Sequence, residues 1–176
     1  MTTTSHQLAR TVNSYLRRRP DETLCLSPVW QACKQHARAG RCVHRGTCPV
    51  PKVSPVVVDE RSRVLMLQGR TRFRLPEVGI TNDFGTLQET CVTFARALGV
   101  EGPWTQPGHK EPIQIVLAVG DEEDGLRSKV ALRYLYRTFA NRCRFAEKAP
   151  QVWVPLTELD SDLATRVSSS IGQVVG

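Results

Sequence analysis

The sequence predicts an α/β fold, and three observations carry that reading: short apolar runs bounded by turn residues, a single helical stripe set among them, and two N-terminal helical segments ahead of the first strand. The N-terminal region reads as a helix over residues 5–18, a break at Pro20-Asp21-Glu22, and a second helix over 28–39 that Ser27-Pro28 opens and Gly40 ends. Ser54 to Asp59 and Val64 to Leu67 are apolar runs around the turn Glu60-Arg61-Ser62-Arg63, the pattern of a hairpin. Arg70, Arg72 and Arg74 alternate with Thr71, Phe73 and Leu75, so a strand there points all three guanidiniums to one face. Leu87, Cys91, Phe94, Ala95 and Leu98 recur at the spacing of a core-facing helix over 85–98, and Gly99 stops it. Apolar runs at 113–119, 130–137 and 152–159 follow as strands, with a closing helix over 159–170.

Composition narrows the class. With 176 residues and 40% hydrophobic content, the chain holds one domain's worth of core. The expected division is a helical extension with a Cys/His-rich linker over 1–50 and an α/β domain over 51–176. Nothing approaches the roughly 20 apolar residues of a membrane span, and the N-terminus lacks a secretion signal, so a cytoplasmic protein is expected. The six cysteines are irregularly spaced in a chain large enough to need no staples, so reduced thiols are expected. Net charge is +7, and Arg10, Arg17, Arg18, Arg19, Lys34, Arg38, Arg41, Arg45 and Lys52 crowd the first third. That is either a solvated basic face or a surface for an acidic macromolecular partner. Tyr15 and Trp30 sit at core-like helical positions, which leaves no aromatic interleaving for base stacking.

The run from Leu75-Pro76-Glu77-Val78 through Gly99-Val100 resembles the Nudix box: a Leu-Pro loop, a helix, and a final Gly-hydrophobic step. Arg72-Phe73-Arg74-Leu75-Pro76 is similar to the family's approach to its box. Val152-Trp153-Val154-Pro155-Leu156-Thr157-Glu158-Leu159 is similar to the strand-to-helix step that closes many Nudix domains, and the N-terminal helices resemble an extension found in one bacterial subgroup. The resemblance spans about residues 53 to 170 and implies an α/β/α sandwich with a mixed sheet and an N-terminal helical extension. It departs where the chemistry lies. The six positions that carry Arg-Glu-hydrophobic-x-Glu-Glu in the family read Val92, Thr93, Phe94, Ala95, Arg96 and Ala97. Mg²⁺ is held by carboxylate oxygens, and a guanidinium in their place turns attraction into repulsion of several kcal/mol at an effective dielectric of ~20. The resemblance therefore implies a degenerate member with no Mg²⁺ at the box and no conventional pyrophosphatase activity.

Three constellations are candidates for chemistry. Arg70, Arg72, Arg74 and Arg96, with Tyr134 from the neighbouring strand, form a set suited to an anionic small molecule through bidentate hydrogen bonds; the alternative for the arginines is an edge strand guarded by charge. Glu77, following Leu75-Pro76 at the cleft mouth and within reach of Arg72 or Arg74, is the candidate general base. Cys33, His36, Cys42, His44 and Cys48 are a candidate zinc set, thiolate and imidazole being what zinc prefers; the alternative is scattered thiols and solvent-facing histidines. The acidic loop Asp121-Glu122-Glu123-Asp124 reads as a solvated turn, and Cys91 as a buried, inert thiol. Two functions remain open: a repurposed, metal-independent biosynthetic enzyme acting on an anionic small molecule, or a catalytically silent nucleotide-like ligand-binding or regulatory module with a basic partner-binding face.

Overall fold

The computed structural model describes residues 3–39, 48–69, 72–80, 85–106, 109–120, 127–146 and 149–172. Helix α1 (Thr3–Arg18) buries Leu8, Val12, Tyr15 and Leu16, spaced at i, i+4, i+7 and i+8, and ends on Arg17 and Arg18, which complement its C-terminal partial charge. A 3-10 turn at Pro20–Glu22 leads into α2 (Thr23–Ala39). This helix begins earlier than Ser27-Pro28 signals, with Pro28 lying inside it. Pro28 supplies no N–H to the Leu24 carbonyl one turn back, and the buried stripe Leu26, Val29 and Cys33 holds the helix across that gap.

Seven strands form one mixed sheet among the described residues: β1 (Val50–Val58), β2 (Arg63–Gln68), β3 (Phe73–Arg74), β4 (Val78–Gly79), β5 (Gln114–Ala118), β6 (Lys129–Arg137) and β7 (Gln151–Pro155). The main order is β3-β2-β1-β6-β5, with β4 on β1 and β7 on β2. Strands β1 and β6 run parallel in register from Val50↔Lys129 to Val58↔Arg137, and the remaining pairs are antiparallel. A parallel centre covered on both faces explains why β1 reads as a valine-rich run rather than an alternation. Its first residue, Val50, falls one position ahead of the division expected between extension and domain.

One face of the sheet packs against α1, α2 and α3 (Leu87–Ala97), where Val53, Val57, Leu132 and Tyr136 meet Val12, Tyr15, Val29 and Cys91. The other face carries Val56, Val64, Met66 and Leu135 against Leu163 and Val167 of α4 (Ser161–Gly172). The α/β/α sandwich with a mixed sheet and two N-terminal helices is thus the observed architecture. Those helices share the core of the sheet rather than standing apart from it. Among the described residues no helix is long and apolar enough to cross a membrane.

Local chemistry fixes the connections. Asp59, fully buried at the β1–β2 turn, accepts the N–H groups of Arg61 (2.9 Å) and Arg63 (2.8 Å) on one oxygen and Arg63 Nε (2.8 Å) on the other, so its burial leaves no oxygen unpaired. Thr86 and Glu89 form a reciprocal capping box at the start of α3. Gly99 ends that helix at φ 91°, where a Cβ would collide with the Arg144 carbonyl.

Arg166 of α4 joins the two helical layers. It donates from Nη2 to Glu22 (2.7 Å), from Nη1 to the Tyr15 hydroxyl (3.0 Å) and the Ile113 carbonyl (3.3 Å), and from Nε to both oxygens of Asp162 (2.9 Å). Tyr15 in turn donates to Glu22 (2.7 Å), and burial together with that carboxylate pushes its phenol up to about 12. Arg166 and Glu22 are mostly buried, so removing the guanidinium strands a carboxylate. Arg166→Met is expected to cost about 2–3 kcal/mol in urea denaturation, below the full range for buried pairs because Asp162 is exposed, and to raise amide exchange selectively in α1.

A pH dependence follows. Desolvation pushes the Asp162 carboxyl up, but hydrogen bonds from Arg166 and Gln114 and the guanidinium charge together outweigh it, and the carboxyl titrates below its ordinary value. A depressed folded pKa gives stability that is present above the unfolded pKa of about 4 and lost as pH falls through the folded one. The urea midpoint is therefore expected to fall below about pH 4, with a smaller fall in Asp162→Asn.

Candidate functional site

The side-chain alternation of three neighbouring strands builds a cleft on the α4 face. In the β1–β6 register Lys52 lies opposite Ala131 and Ser54 opposite Arg133; in the β5–β6 register Gln114 lies opposite Arg133 and Val116 opposite Ala131. Lys52, Lys129, Ala131, Arg133, Val116 and Ala118 therefore come up on one face and floor a cleft of about 710 Å³. Arg72, Phe73, Arg74, Leu75 and Glu77 form one wall, and Glu158, Leu159, Asp160 and Leu163 the other. Ser54 donates to the Pro76 carbonyl (2.7 Å), fixing the Leu-Pro loop over the floor. Asp160 caps α4 by accepting the Leu163 N–H (2.9 Å).

Among the described residues, five cationic side chains and three carboxylates line this space. Lys129 Nζ lies 2.5 Å from Glu77 Oε2, both largely buried. Arg133 donates from Nη1 to Gln114 Oε1 (2.5 Å); burial lowers its pKa, opposed by the charges of Asp160, Glu77 and Asp162. A guanidinium remains protonated under that shift, so it presents a positive charge to the cleft. Arg72 and Arg74 carry no ion pair among the described residues.

The expected site divides. Arg72, Arg74 and Glu77 come together in the cleft, while Arg70 lies outside the described residues. Arg96 does not join them. It lines a separate depression of about 600 Å³ with Thr86, Glu89, Thr93, Lys110 and Tyr136, because α3 covers the opposite face of the sheet. Tyr134 is also displaced: one residue on from Arg133, it points through the sheet into the α1–α3 core, 3% exposed. Glu77 is held by Lys129, not by Arg72 or Arg74. Lys52, Lys129 and Arg133 are the site residues that sequence reading missed. Their signal was present in Lys129-x-Ala131-x-Arg133, a polar and small alternation opposite Val130, Leu132 and Tyr134, but the partner register was needed to read it.

Helix α3 carries a single carboxylate. Thr93, Arg96 and Ala97 are exposed on α3 and supply no carboxylate, and Glu89, its one acid, has Oε2 engaged by the Thr86 N–H (2.7 Å). That hydrogen bond holds the Glu89 carboxyl below its usual value.

Of the candidate zinc set, Cys33, His36 and Cys48 line an apolar cavity of about 250 Å³ between α1, α2 and β1, and His36 Nε2 lies 3.0 Å from Cys48 Sγ. Burial pushes the Cys33 thiol up to about 12, which disfavours the ligating thiolate. Cys42, His44 and the acidic loop 121–124 lie outside the described residues, and among the described residues no group of three or more His, Cys, Asp or Glu side chains is placed to hold a metal ion. Cys91 is fully buried on the core stripe.

No family model matches the sequence, and no curated protein does. Solved structures do resemble the fold. C. elegans Ap4A hydrolase aligns over 73% of this chain and 99% of its own length, with a TM-score of 0.52 and 9% identity. A NUDIX-family hydrolase from Clostridium perfringens aligns over 70% of this chain and 97% of its own, with a TM-score of 0.49 and 12% identity. Shewanella oneidensis NrtR aligns over 70% of this chain, with a TM-score of 0.48 and 16% identity, and this chain covers 64% of that protein's length. With the C. elegans protein this chain shares architecture, a mixed sheet between helical layers, and its fold is the Nudix-type α/β/α sandwich that the sequence resemblance implies.

Proposed function

We propose that this chain is a degenerate Nudix-fold protein that binds an anionic small molecule in the cleft between β3, β6 and α4, without Mg²⁺-dependent pyrophosphohydrolysis. The observation that carries the reading is the cation surplus among the described residues of the cleft: Arg72, Arg74, Lys52, Lys129 and Arg133 against Glu77, Glu158 and Asp160. Guanidinium and ammonium groups meet phosphate or carboxylate oxygens directly, which is the work that metal-bridged carboxylates do elsewhere. Among the described residues the lining contains no Cys, His, Ser or Tyr, and its most enclosed acid, Glu77, is paired with Lys129. Recognition therefore has more support than covalent catalysis.

One observation favours an enzymatic second reading. The Glu77–Lys129 pair sits inside the cleft, and a carboxylate held there is positioned to accept a proton from a bound substrate once the pair opens. The two readings part on whether a bound ligand is recovered unchanged.

Calorimetry with a panel of nucleotides and of phosphorylated and carboxylated metabolites tests both. At least one anion is expected to bind equally well with Mg²⁺ and with EDTA. Arg72→Ala and Arg74→Ala should each weaken it by roughly 1.5–3 kcal/mol, the scale of a charge-assisted hydrogen bond, with little change in fold stability. Arg96→Ala should leave it unaltered, since that residue faces another depression. Release of phosphate or nucleoside monophosphate that requires Mg²⁺ and is abolished by EDTA would overturn the proposal.

A further inference from the structure

We infer that Arg133 is the anchor of the cleft's ligand, and that the ligand presents to it an oxyanion with two adjacent oxygens, a carboxylate or a phosphoryl group. This rests on the anion-binding reading of the cleft and identifies which group of the ligand is read, and by what.

The guanidinium is engaged on one side only. Nη1 donates to Gln114 Oε1 at 2.5 Å, and Gln114 uses its own amide N–H₂ to meet Asp162 Oδ2 at 2.5 Å. A carboxylate accepts and never donates, so the Gln114 amide has one orientation: its oxygen faces Arg133. Asp162 is in turn held by Arg166 Nε. The chain Arg166–Asp162–Gln114–Arg133 thus sets the guanidinium plane from behind.

The opposite edge is unused. Arg133 Nε is buried and has no hydrogen-bond partner among the described residues. Nη2 lies on the same side of the guanidinium plane as Nε, opposite the Nη1 that Gln114 engages. A buried N–H without an acceptor is costly, and such groups are rare unless something absent from the protein satisfies them. The Nε–Nη2 edge offers two parallel donors at the separation of two oxygens on one carboxylate or phosphoryl group. Its surroundings are selective as well. Met66, Leu75, Val116 and Leu163 line the same cleft, so an apolar or aromatic body can follow the anionic head, while Arg72 and Arg74 at the wall favour further negative charge.

The test uses the full chain, with inorganic pyrophosphate as the phosphoryl probe and succinate as the carboxylate probe. Calorimetry compares the wild type with Arg133→Lys, Arg133→Gln, Arg72→Ala and Arg74→Ala. Arg133→Lys keeps the charge and loses the two-donor edge. It is expected to weaken the bound probe by roughly tenfold or more, and Arg133→Gln to abolish binding. Which probe responds decides between phosphoryl and carboxylate. If Arg72→Ala and Arg74→Ala weaken the probe while both Arg133 variants bind it like the wild type, the anchor assignment is wrong and the cleft reading stands. If neither probe binds the wild type, both fall. Should the Arg133 variants fail to fold, the wild type still decides: saturation with the probe is expected to shift one arginine Nε–H resonance and slow its exchange with solvent, and unchanged arginine Nε–H resonances overturn the assignment.

Discussion

The parallel pairing of β1 with β6 is the constraint on which the remainder of the molecule depends. Nine residues of each strand lie in one register, so every side chain on these strands is assigned to one of two faces. On one face Val53, Val57, Leu132, Tyr134 and Tyr136 complete a core with α1, α2 and α3. On the other, Lys52, Lys129 and Arg133 come into the open end of the sheet, while Val56, Val58 and Leu135 close the same face beneath α4. A shift of one residue would bury three cations and expose two tyrosines. Because the side-chain period is two, such a slip costs the whole core, and the register is therefore fixed by burial.

Layers placed by burial still need to be held at a fixed distance, and polar contacts do that. Arg166 meets Glu22 and Tyr15 on one side and Asp162 on the other, and Asp162 meets Gln114 on β5. One continuous set of hydrogen bonds therefore runs from the N-terminal helices to the cleft floor. Such a set is strong when complete and expensive when one member is lost, because each remaining group is left in a low-dielectric setting. It also explains how a cationic residue is tolerated on the floor: Asp160, Glu77 and Asp162 offset the desolvation of Arg133 without contacting its free edge.

The two faces also separate the helix that bears the family resemblance from the cation-rich cleft. Helix α3 packs on the hydrophobic side, its buried stripe Leu87, Thr90, Cys91 and Ala95 turned to the sheet. Its outer residues Thr93 and Arg96 line a shallower depression of their own. The architecture that supports metal-dependent chemistry in Nudix hydrolases is thus combined with a cation-rich cleft on the α4 face, and a shared fold does not by itself transfer an activity.

What the sequence alone determined were the features written in local order. The α3 stripe and its Gly99 stop, the hairpin at Asp59 to Arg63, the strands over 113–119, 130–137 and 152–159, and the fold class all follow from periodicity and turn chemistry, which are encoded within a few residues. Arg72, Arg74 and Glu77 were legible as cleft residues because they adjoin the Leu-Pro loop. The start of α2 was misjudged because a proline usually opens a helix, and here tertiary burial of Leu26 and Val29 extends the helix ahead of it. The rest of the site was decided only by tertiary structure. Arg133 belongs to the cleft and Tyr134 to the core because of which strand lies beside β6 and which helix covers each face. Glu77 pairs with Lys129, 52 positions away, and Arg96 is separated from Arg74 by the sheet itself. Pairings of that kind depend on register and layer order, which no short stretch of sequence contains.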